Sequence, residues 1–366
     1  AIKTGGPGAL FWMWIAAFFG MATKYAEGLL AIKFRTLDDQ GNVSGGPMYY
    51  ITHGFSGKWQ IIAKPLAYFF AFAGVLVAWL GIGTFSQVNS ITSSLQNSFG
   101  WSPKIVSVIL ALITAAIIFG GIQSISKVSE KVVPFMAGLY IIAALIVIFA
   151  NFNQLLPVLE MVFQSAFTGK AAVGGFAGAT VMAAMRLGIA RGVFSNESGL
   201  GSAPIAAAAA KTEEPVEQGL ISMTGTFIDT IIICTLTGLA ILVTGQWSGS
   251  LEGAPMTQAA FSSIFGTFGE LALTLSLVLF AFTTILGWSY YGERCFEFIF
   301  KSTKFLSFYR LIFVVMVALG GYLTLEVVWK IADIVNGLMA LPNLIALLVL
   351  SPIILKESKS YFERHK

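Results

Sequence analysis

The residues best suited to chemistry lie in one polar stretch between two apolar segments, residues 188–204, GIARGVFSNESGLGSAP. Glycines interrupt the helical pattern there, and Ser195, Asn196 and Ser198 add side-chain donors and acceptors. Backbone groups released from helical hydrogen bonds must find other partners. Carbonyls ending the first helical piece suit a cation or an ammonium group, and amides beginning the second suit a carboxylate. This bipolar break fits a zwitterion; the alternative is a plain loop between two helices.

The composition places this break in a membrane protein. The 366 residues are 56% hydrophobic and 11% charged, with a mean hydropathy of +0.81, whereas soluble domains carry about 25% charged residues. Irregular backbone at membrane depth is tolerated only where it is buried in protein or lines a wet cavity. The break therefore predicts a substrate or ion site. Cys234 and Cys295 fall in apolar segments and are expected to pack in the core.

Apolar runs of about 20 residues predict an all-α polytopic fold. We expect nine spans, at residues 9–34, 61–96, 103–120, 132–150, 171–211, 219–244, 270–300, 305–324 and 327–355. The second is long for one crossing, and tilt would accommodate it. Asn336-Gly337 and Pro342 predict a kink in the last. We also expect the piece around residues 45–55 to be interfacial, and a surface helix within residues 151–170.

The positive charges indicate an orientation. When Lys and Arg residues are assigned to alternate sides of the nine spans, fifteen fall on one side, and only Lys3, Lys104, Lys170 and Lys330 fall on the side of Ala1. Because cytoplasmic loops are enriched in Lys and Arg, the C-terminus is expected in the cytoplasm. The first residues, AIKTGGPG, lack an initiator Met and a leading loop, so we expect further chain before them.

Charged residues within spans are further functional candidates. Lys24 and Glu27 are three apart and could pair on one helical face, for function or for structure. Asp229 lies among threonines and could help to hold Na⁺ or H⁺, or could simply bond to neighbouring helices; Asp333 allows the same two interpretations. Arg186 and Arg191 bracket the entry to the break. One of them could face an anionic group, or they could pair with Glu197 or cap freed carbonyls.

Two more stretches contribute polar groups. In the second span, glycines permit close approach near Thr84 and Gln87. In the seventh span, Thr283 and Thr284 present adjacent hydroxyls that suit an alkali cation. Trp288, one turn later, would limit the volume of a bound side chain; the alternative is an aromatic residue at the membrane interface.

Several of these stretches closely resemble the alanine-or-glycine:cation symporter family, the sodium:alanine symporters of the amino acid–polyamine–organocation superfamily. They are GGPGALFWMWIAAFFG at 5–20, GGPMYYI at 45–51, RLGIARGVFSNESGLGSAP at 186–204, FTTILGWSYYGERC at 282–295 and ADIVNGLMALPNLIALL at 332–348. The resemblance covers nearly the whole chain.

The resemblance implies a leucine-transporter-like fold, an inverted repeat of five plus five helices. Residues 1–366 would form a single transport domain, with 1–150 the remainder of the first repeat and 171–355 the second. The nine spans would be core helices 2–10, and the first core helix would be absent from this sequence. By the same resemblance, the substrate site would be lined by Gly83, Thr84, Gln87, Phe194, Ser195, Asn196 and Trp288. Thr283 and Thr284 would form part of a sodium site.

The implied function is Na⁺-coupled import of alanine or glycine by alternating access in the cell membrane of a prokaryote. The expected partners are the amino acid and membrane lipid, with no nucleic acid and no obligate protein partner. A channel would need a continuous polar face or a charged ring, and an enzyme would need a nucleophile, a metal cluster or an acid–base pair at membrane depth. The open alternatives are coupling to H⁺ and a transporter of the same fold for another small solute.

Overall fold

The computed structural model describes residues 1–37, 43–120, 122–168 and 181–365. Lys170 and the expected start of the fifth span lie outside these residues. The described chain is almost entirely helical. Its helices are α1 (Ile2–Gly5), α2 (Gly8–Lys33), α3 (Pro47–Gly54), α4 (Gln60–Leu80), α5 (Phe85–Phe99), α6 (Pro103–Ile118), α7 (Ile122–Ala150), α8 (Phe152–Thr168), α9 (Val181–Asn196), α10 (Ala203–Ala207), α11 (Pro215–Thr226), α12 (Thr235–Val243), α13 (Gly253–Phe300), α14 (Leu306–Gly320) and α15 (Leu325–Arg364).

Shorter elements complete this description. A π-helix, Phe227–Cys234, joins α11 to α12. Single 3₁₀ turns occupy Gly57–Trp59, Gln246–Ser248 and Thr303–Phe305. The two strands, β1 (Thr36–Leu37) and β2 (Val43–Ser44), pair antiparallel with Thr36 opposite Ser44.

Seven stretches of the described chain are long and apolar enough to cross a membrane. They are Gly8–Lys33, Gly57–Phe99, Val133–Ala150, Pro215–Val243, Gly253–Phe300, Thr303–Gly320 and Leu325–Arg364. Helix α6 is apolar but has only 16 residues, and the fifth expected span is described only from Val181 onward. The chain is thus an all-α, multi-pass membrane protein, with seven of the nine expected spans meeting the length and hydropathy of a crossing helix.

The second span is interrupted, and the sequence analysis did not expect this interruption. Helix α4 ends at Leu80 and α5 begins at Phe85. A Cβ atom on Gly81 would lie 2.7 Å from Cγ2 of Val335 on α15. Glycine therefore lets the chain turn here while it packs closely on its neighbours.

The structure also bears on several shorter segments and on Pro342 in the last span. The expected surface helix is present as α8. Helix α13 contains Gly266 with φ 58° and ψ −148°, so a short helix precedes the long crossing segment. Helix α15 is continuous through Pro342, so the chain stays helical at the position of the expected kink. Helix α3 packs into the bundle, where Met48 and Tyr50 are fully buried.

Packing places α2 at the centre of the functional region. It contacts α9, α10 and α11, which flank the polar break, and also α15. The larger hydrophobic cluster joins residues of α3, α4, α5, α13, α14 and α15, and a smaller one joins α7, α8, α12 and the start of α13. Apolar side chains such as Ile61 and Leu348 are exposed on the outside of the bundle, where a lipid environment would cover them.

Candidate functional site

The break predicted at residues 188–204 is present between α9, which ends at Asn196, and α10, which begins at Ala203. Gly199 and Gly201 have φ values of +85° and +84°, a left-handed region that glycine enters without steric cost. Two such residues within three positions interrupt the helical path between α9 and α10. Their backbone amides are thereby left without helical partners.

Those amides bind a carboxylate that belongs to the chain itself. Oε1 of Glu27 on α2 accepts hydrogen bonds from the backbone N–H groups of Gly199 and Gly201, each at 3.1 Å. Glu27 is fully buried. The expectation that amides of the break suit a carboxylate is therefore met by Glu27, and these two amides are not free for a substrate.

The expected pairing of Lys24 with Glu27 is not a direct one. Within the described chain, no ion pair of 4.0 Å or less joins these two side chains. Lys24 is itself buried, with 6% of its surface exposed.

Asn343 on α15 fixes the same corner of the break. Its Nδ2 donates to Oε1 of Glu27 at 2.7 Å and to the carbonyl oxygen of Gly199 at 2.9 Å. Its Oδ1 accepts from the hydroxyl of Tyr50 on α3. Asn343 and Tyr50 are both fully buried. Three helices outside the break therefore hold its backbone in place.

Ser195 and Asn196 face the π-helix. The hydroxyls of Ser195 and Thr230 each donate to Oδ2 of Asp229 at 2.8 Å. Nδ2 of Asn196 donates to Oγ1 of Thr230 at 2.9 Å. This geometry fits the interpretation of Asp229 as a hydrogen-bonding partner of a neighbouring helix. The π-helical turn itself is of a kind often found at functional sites.

Arg191 does not pair with Glu197. It forms a bidentate ion pair with Asp333 of α15, with both nitrogen–oxygen distances 2.8 Å. Its guanidinium lies 4.0 Å from the centroid of the Trp329 ring and 5.6 Å from that of Phe194. This ion pair favours the interpretation of Asp333 as a residue bonded to a neighbouring helix.

Phe194 lies in a large cavity at the end of the bundle that carries Ala1. The cavity has a volume of about 660 Å³, and Cys234, Arg186 and Trp329 also line it. The rings of Phe194 and Trp329 are 4.7 Å apart. Of the residues predicted to line the substrate site, Phe194 is the one that this cavity exposes.

The residues predicted in the second span lie at its break. Oγ1 of Thr84 donates to the carbonyl of Ala78 at 2.6 Å, and Nε2 of Gln87 donates to that of Ile82 at 3.1 Å. These side chains thus satisfy carbonyls that the break releases. A Cβ atom on Gly83 would lie 2.7 Å from Cβ of Trp288, so Gly83 allows α13 to approach.

A smaller pocket, of about 210 Å³, brings three predicted residues of α13 against the break. Its lining residues are Val133, Glu197, Thr283, Thr284, Gly287, Trp288 and Tyr291. We call it the α13 pocket. The hydroxyls of Thr283 and Thr284 donate to the carbonyl of Phe280 at 2.9 and 3.0 Å. Because each hydroxyl has two acceptor lone pairs, both oxygens can still face a cation. Together with a carboxylate, this oxygen-rich lining fits a hard monovalent cation.

Trp288 is 1% exposed, which excludes the alternative of a residue at the membrane interface. Its Nε1 donates to Oε1 of Glu197 at 2.9 Å. Sequence reasoning did not identify Glu197 as a partner of Trp288, nor Glu27 and Asn343 as holders of the break. The signals available in the sequence were the carboxylate of Glu197 inside the break and that of Glu27 at membrane depth.

Comparisons with known proteins identify the family of this chain. A profile of the sodium:alanine symporter family matches residues 1–366. The chain is 52% identical to an uncharacterized transporter of Haemophilus influenzae, over 100% of this chain and 79% of that protein. It is 49% identical to the sodium/alanine symporter AgcS of Methanococcus maripaludis, over 100% and 80% of the two chains. It is 39% identical to the probable sodium/glutamine symporter GlnT of Bacillus subtilis, over 100% and 74%. The chain therefore belongs to the sodium:alanine symporter family, which consists of transporters and not enzymes.

Proposed function

We propose that this protein is a Na⁺-coupled symporter that imports small neutral amino acids, alanine or glycine, by alternating access. The observation that carries the proposal is the α13 pocket, where the hydroxyls of Thr283 and Thr284 and the ring of Trp288 meet the break. Family membership and the relative named as a sodium/alanine symporter support the coupling ion and the substrate class.

In this proposal the predicted residues divide into two groups. Thr283 and Thr284 supply oxygen ligands to the cation. The substrate is bounded by Gly83, Thr84, Gln87, Phe194, Ser195, Asn196 and Trp288. The bulk of Trp288 restricts the side chain of the amino acid. Because Glu27 occupies the amides of Gly199 and Gly201, the substrate carboxylate takes its hydrogen bonds from other donors.

The transport cycle follows from the same elements. In a leucine-transporter-like inverted repeat, discontinuous helices form the site near the midplane, and one group of helices rocks against the other. The break between α9 and α10 would be one such discontinuity. In this proposal the break joins the moving groups, which its bonds to Glu27 on α2, Asn343 on α15 and Trp288 on α13 support. The charge bias supports a cytoplasmic C-terminus in the cell membrane of a prokaryote.

Uptake by the full-length protein in proteoliposomes tests this function. We expect accumulation of [¹⁴C]alanine to require an inward Na⁺ gradient and to be inhibited by glycine. Uptake that is independent of Na⁺ but driven by an inward H⁺ gradient would identify H⁺ as the coupling ion. Inhibition by glutamine, leucine or uracil, but not by glycine, would indicate a different solute. Glutamine is included because of the relative named as a glutamine symporter.

A further inference from the structure

Glu197 occupies an unusual position in the break. Its φ is +57°, and within the described chain only Lys301 shares a positive φ among non-glycine residues. Lys301 ends α13 as a helix cap, whereas Glu197 lies inside the bundle between two helical pieces. A left-handed conformation costs a non-glycine residue free energy and persists only where surrounding contacts maintain it. The contacts of its side chain are therefore informative.

The carboxylate of Glu197 connects three elements. Oε1 accepts the indole N–H of Trp288 on α13 at 2.9 Å. Oε2 accepts the hydroxyl of Ser202, the residue that precedes α10, at 2.6 Å. The backbone N–H of Glu197 still donates to the carbonyl of Val193 in α9 at 2.8 Å. One residue thus links the end of α9, the start of α10 and the wall of the α13 pocket.

Glu197 also supplies charge to the α13 pocket. Among the described residues that line this pocket, it is the only one with a carboxylate. Thr283 and Thr284 contribute neutral oxygens whose protons are already donated to Phe280. A cation in such a pocket loses hydration, and a nearby negative charge offsets this cost strongly because the surroundings have a low dielectric constant.

We propose that Glu197 is the counter-charge of the cation held by Thr283 and Thr284 and a positioning residue for Trp288. This inference rests on the proposed function. Cation and indole N–H act on the same carboxylate, so occupancy of the cation site changes the strength of the bond that holds Trp288. Glu197 thereby couples ion binding to the shape of the substrate site.

The test compares full-length variants in proteoliposomes, with two quantities measured for each: the Na⁺ concentration that gives half-maximal alanine uptake, and KM for alanine at saturating Na⁺. Glu197→Gln keeps an acceptor oxygen for Trp288 but removes the charge. We expect its half-maximal Na⁺ concentration to rise at least tenfold, while KM for alanine at saturating Na⁺ changes less than threefold.

Ser202→Ala is the matched control. It removes one hydrogen bond to the same carboxylate and keeps the charge, so the half-maximal Na⁺ concentration should change less than threefold. Equal Na⁺ dependence in Glu197→Gln and the wild type would overturn the inference, as would an equal rise in both variants. If Glu197→Gln does not fold, Glu197→Asp replaces it. This variant keeps the charge but shortens the side chain that accepts the indole N–H of Trp288, so KM for alanine should rise more than the half-maximal Na⁺ concentration, and the reverse would overturn the inference. Failure of the proposed function is distinct, because the wild type itself would then show no Na⁺-stimulated uptake.

Discussion

Asn343 on α15 donates a hydrogen bond of 2.7 Å from Nδ2 to Oε1 of Glu27 on α2. The same oxygen accepts the backbone amides of Gly199 and Gly201. An irregular turn at membrane depth needs partners for its free backbone groups, and here a side chain from another helix provides them. The break is consequently a preformed element with its own internal anion.

Removing that anion should destabilise the protein strongly. Glu27→Ala would leave two backbone amides and the Asn343 amide without their acceptor in a buried region. We expect a loss of about 3 kcal/mol or more of stability and no measurable alanine uptake. Glu27→Gln keeps one acceptor oxygen, so its loss should be smaller. Thermal unfolding in detergent, followed by size-exclusion chromatography, measures the stability of both variants. Alanine uptake in proteoliposomes measures their transport.

Glu357→Ala is the control for that experiment. Glu357 pairs with Lys33 at 2.8 Å, and both side chains are about 30% exposed. An ion pair of this kind contributes roughly 0 to 1 kcal/mol. If Glu27→Ala lowered the stability no more than Glu357→Ala does, Glu27 would not hold the break.

The close approach of Gly83 to Trp288 gives a second prediction. In Gly83→Ala the new Cβ would lie 2.7 Å from Cβ and 2.9 Å from Cγ of Trp288. Because such contacts force a shift of the indole, we expect alanine uptake to fall more than tenfold. Gly138→Ala on α7 has no atom within 4 Å of its new Cβ and should transport normally. Equal activity of the two variants would show that the fit of Trp288 is not critical.

The sequence predicted the crossing helices and the break well, because both depend on local patterns. Apolar length identifies a span, and a run of glycine with polar residues identifies an interruption. The break between α4 and α5 was missed, since Gly81 and Gly83 lie between apolar runs that continue the helical pattern on both sides. Gly83 was identified as a point of close approach but not as part of a broken helix.

The contacts that organise the site could not be predicted in the same way. Glu27 meets Gly199 across 172 positions of the chain, whereas helical spacing pointed only to Lys24, three residues away. Likewise, charge alone suggested an arginine as the partner of Glu197, but the structure provides the indole of Trp288. Pairings of this kind depend on which helices pack together, and a single sequence does not contain that information.

Trp288 should set the size of the accepted amino acid. Trp288→Ala removes an almost fully buried ring beside the break, and the space left should admit larger side chains. We expect the ratio of leucine uptake to alanine uptake to rise at least tenfold. Trp101→Ala is the control, because that ring is 54% exposed. Unchanged selectivity in the Trp288 variant would show that Trp288 does not line the substrate site.

The two cysteines provide a reporter of site occupancy. Cys234 lines the cavity of about 660 Å³, and its Sγ lies 3.3 Å from Oγ of Ser195 in the break. Cys295 is fully buried. A small, membrane-impermeant thiol reagent should therefore modify Cys234 at least ten times faster than Cys295.

Because Ser195 belongs to the proposed substrate site, alanine with Na⁺ should slow the labelling of Cys234, whereas Na⁺ with leucine should have a smaller effect. Mass spectrometry of the full-length protein after timed labelling measures the rate at each cysteine, and Cys234→Ser provides the background. Labelling of Cys234 that alanine leaves unchanged would separate this cavity from the substrate path. Protection by alanine without Na⁺ would instead show that the substrate binds independently of the coupling ion.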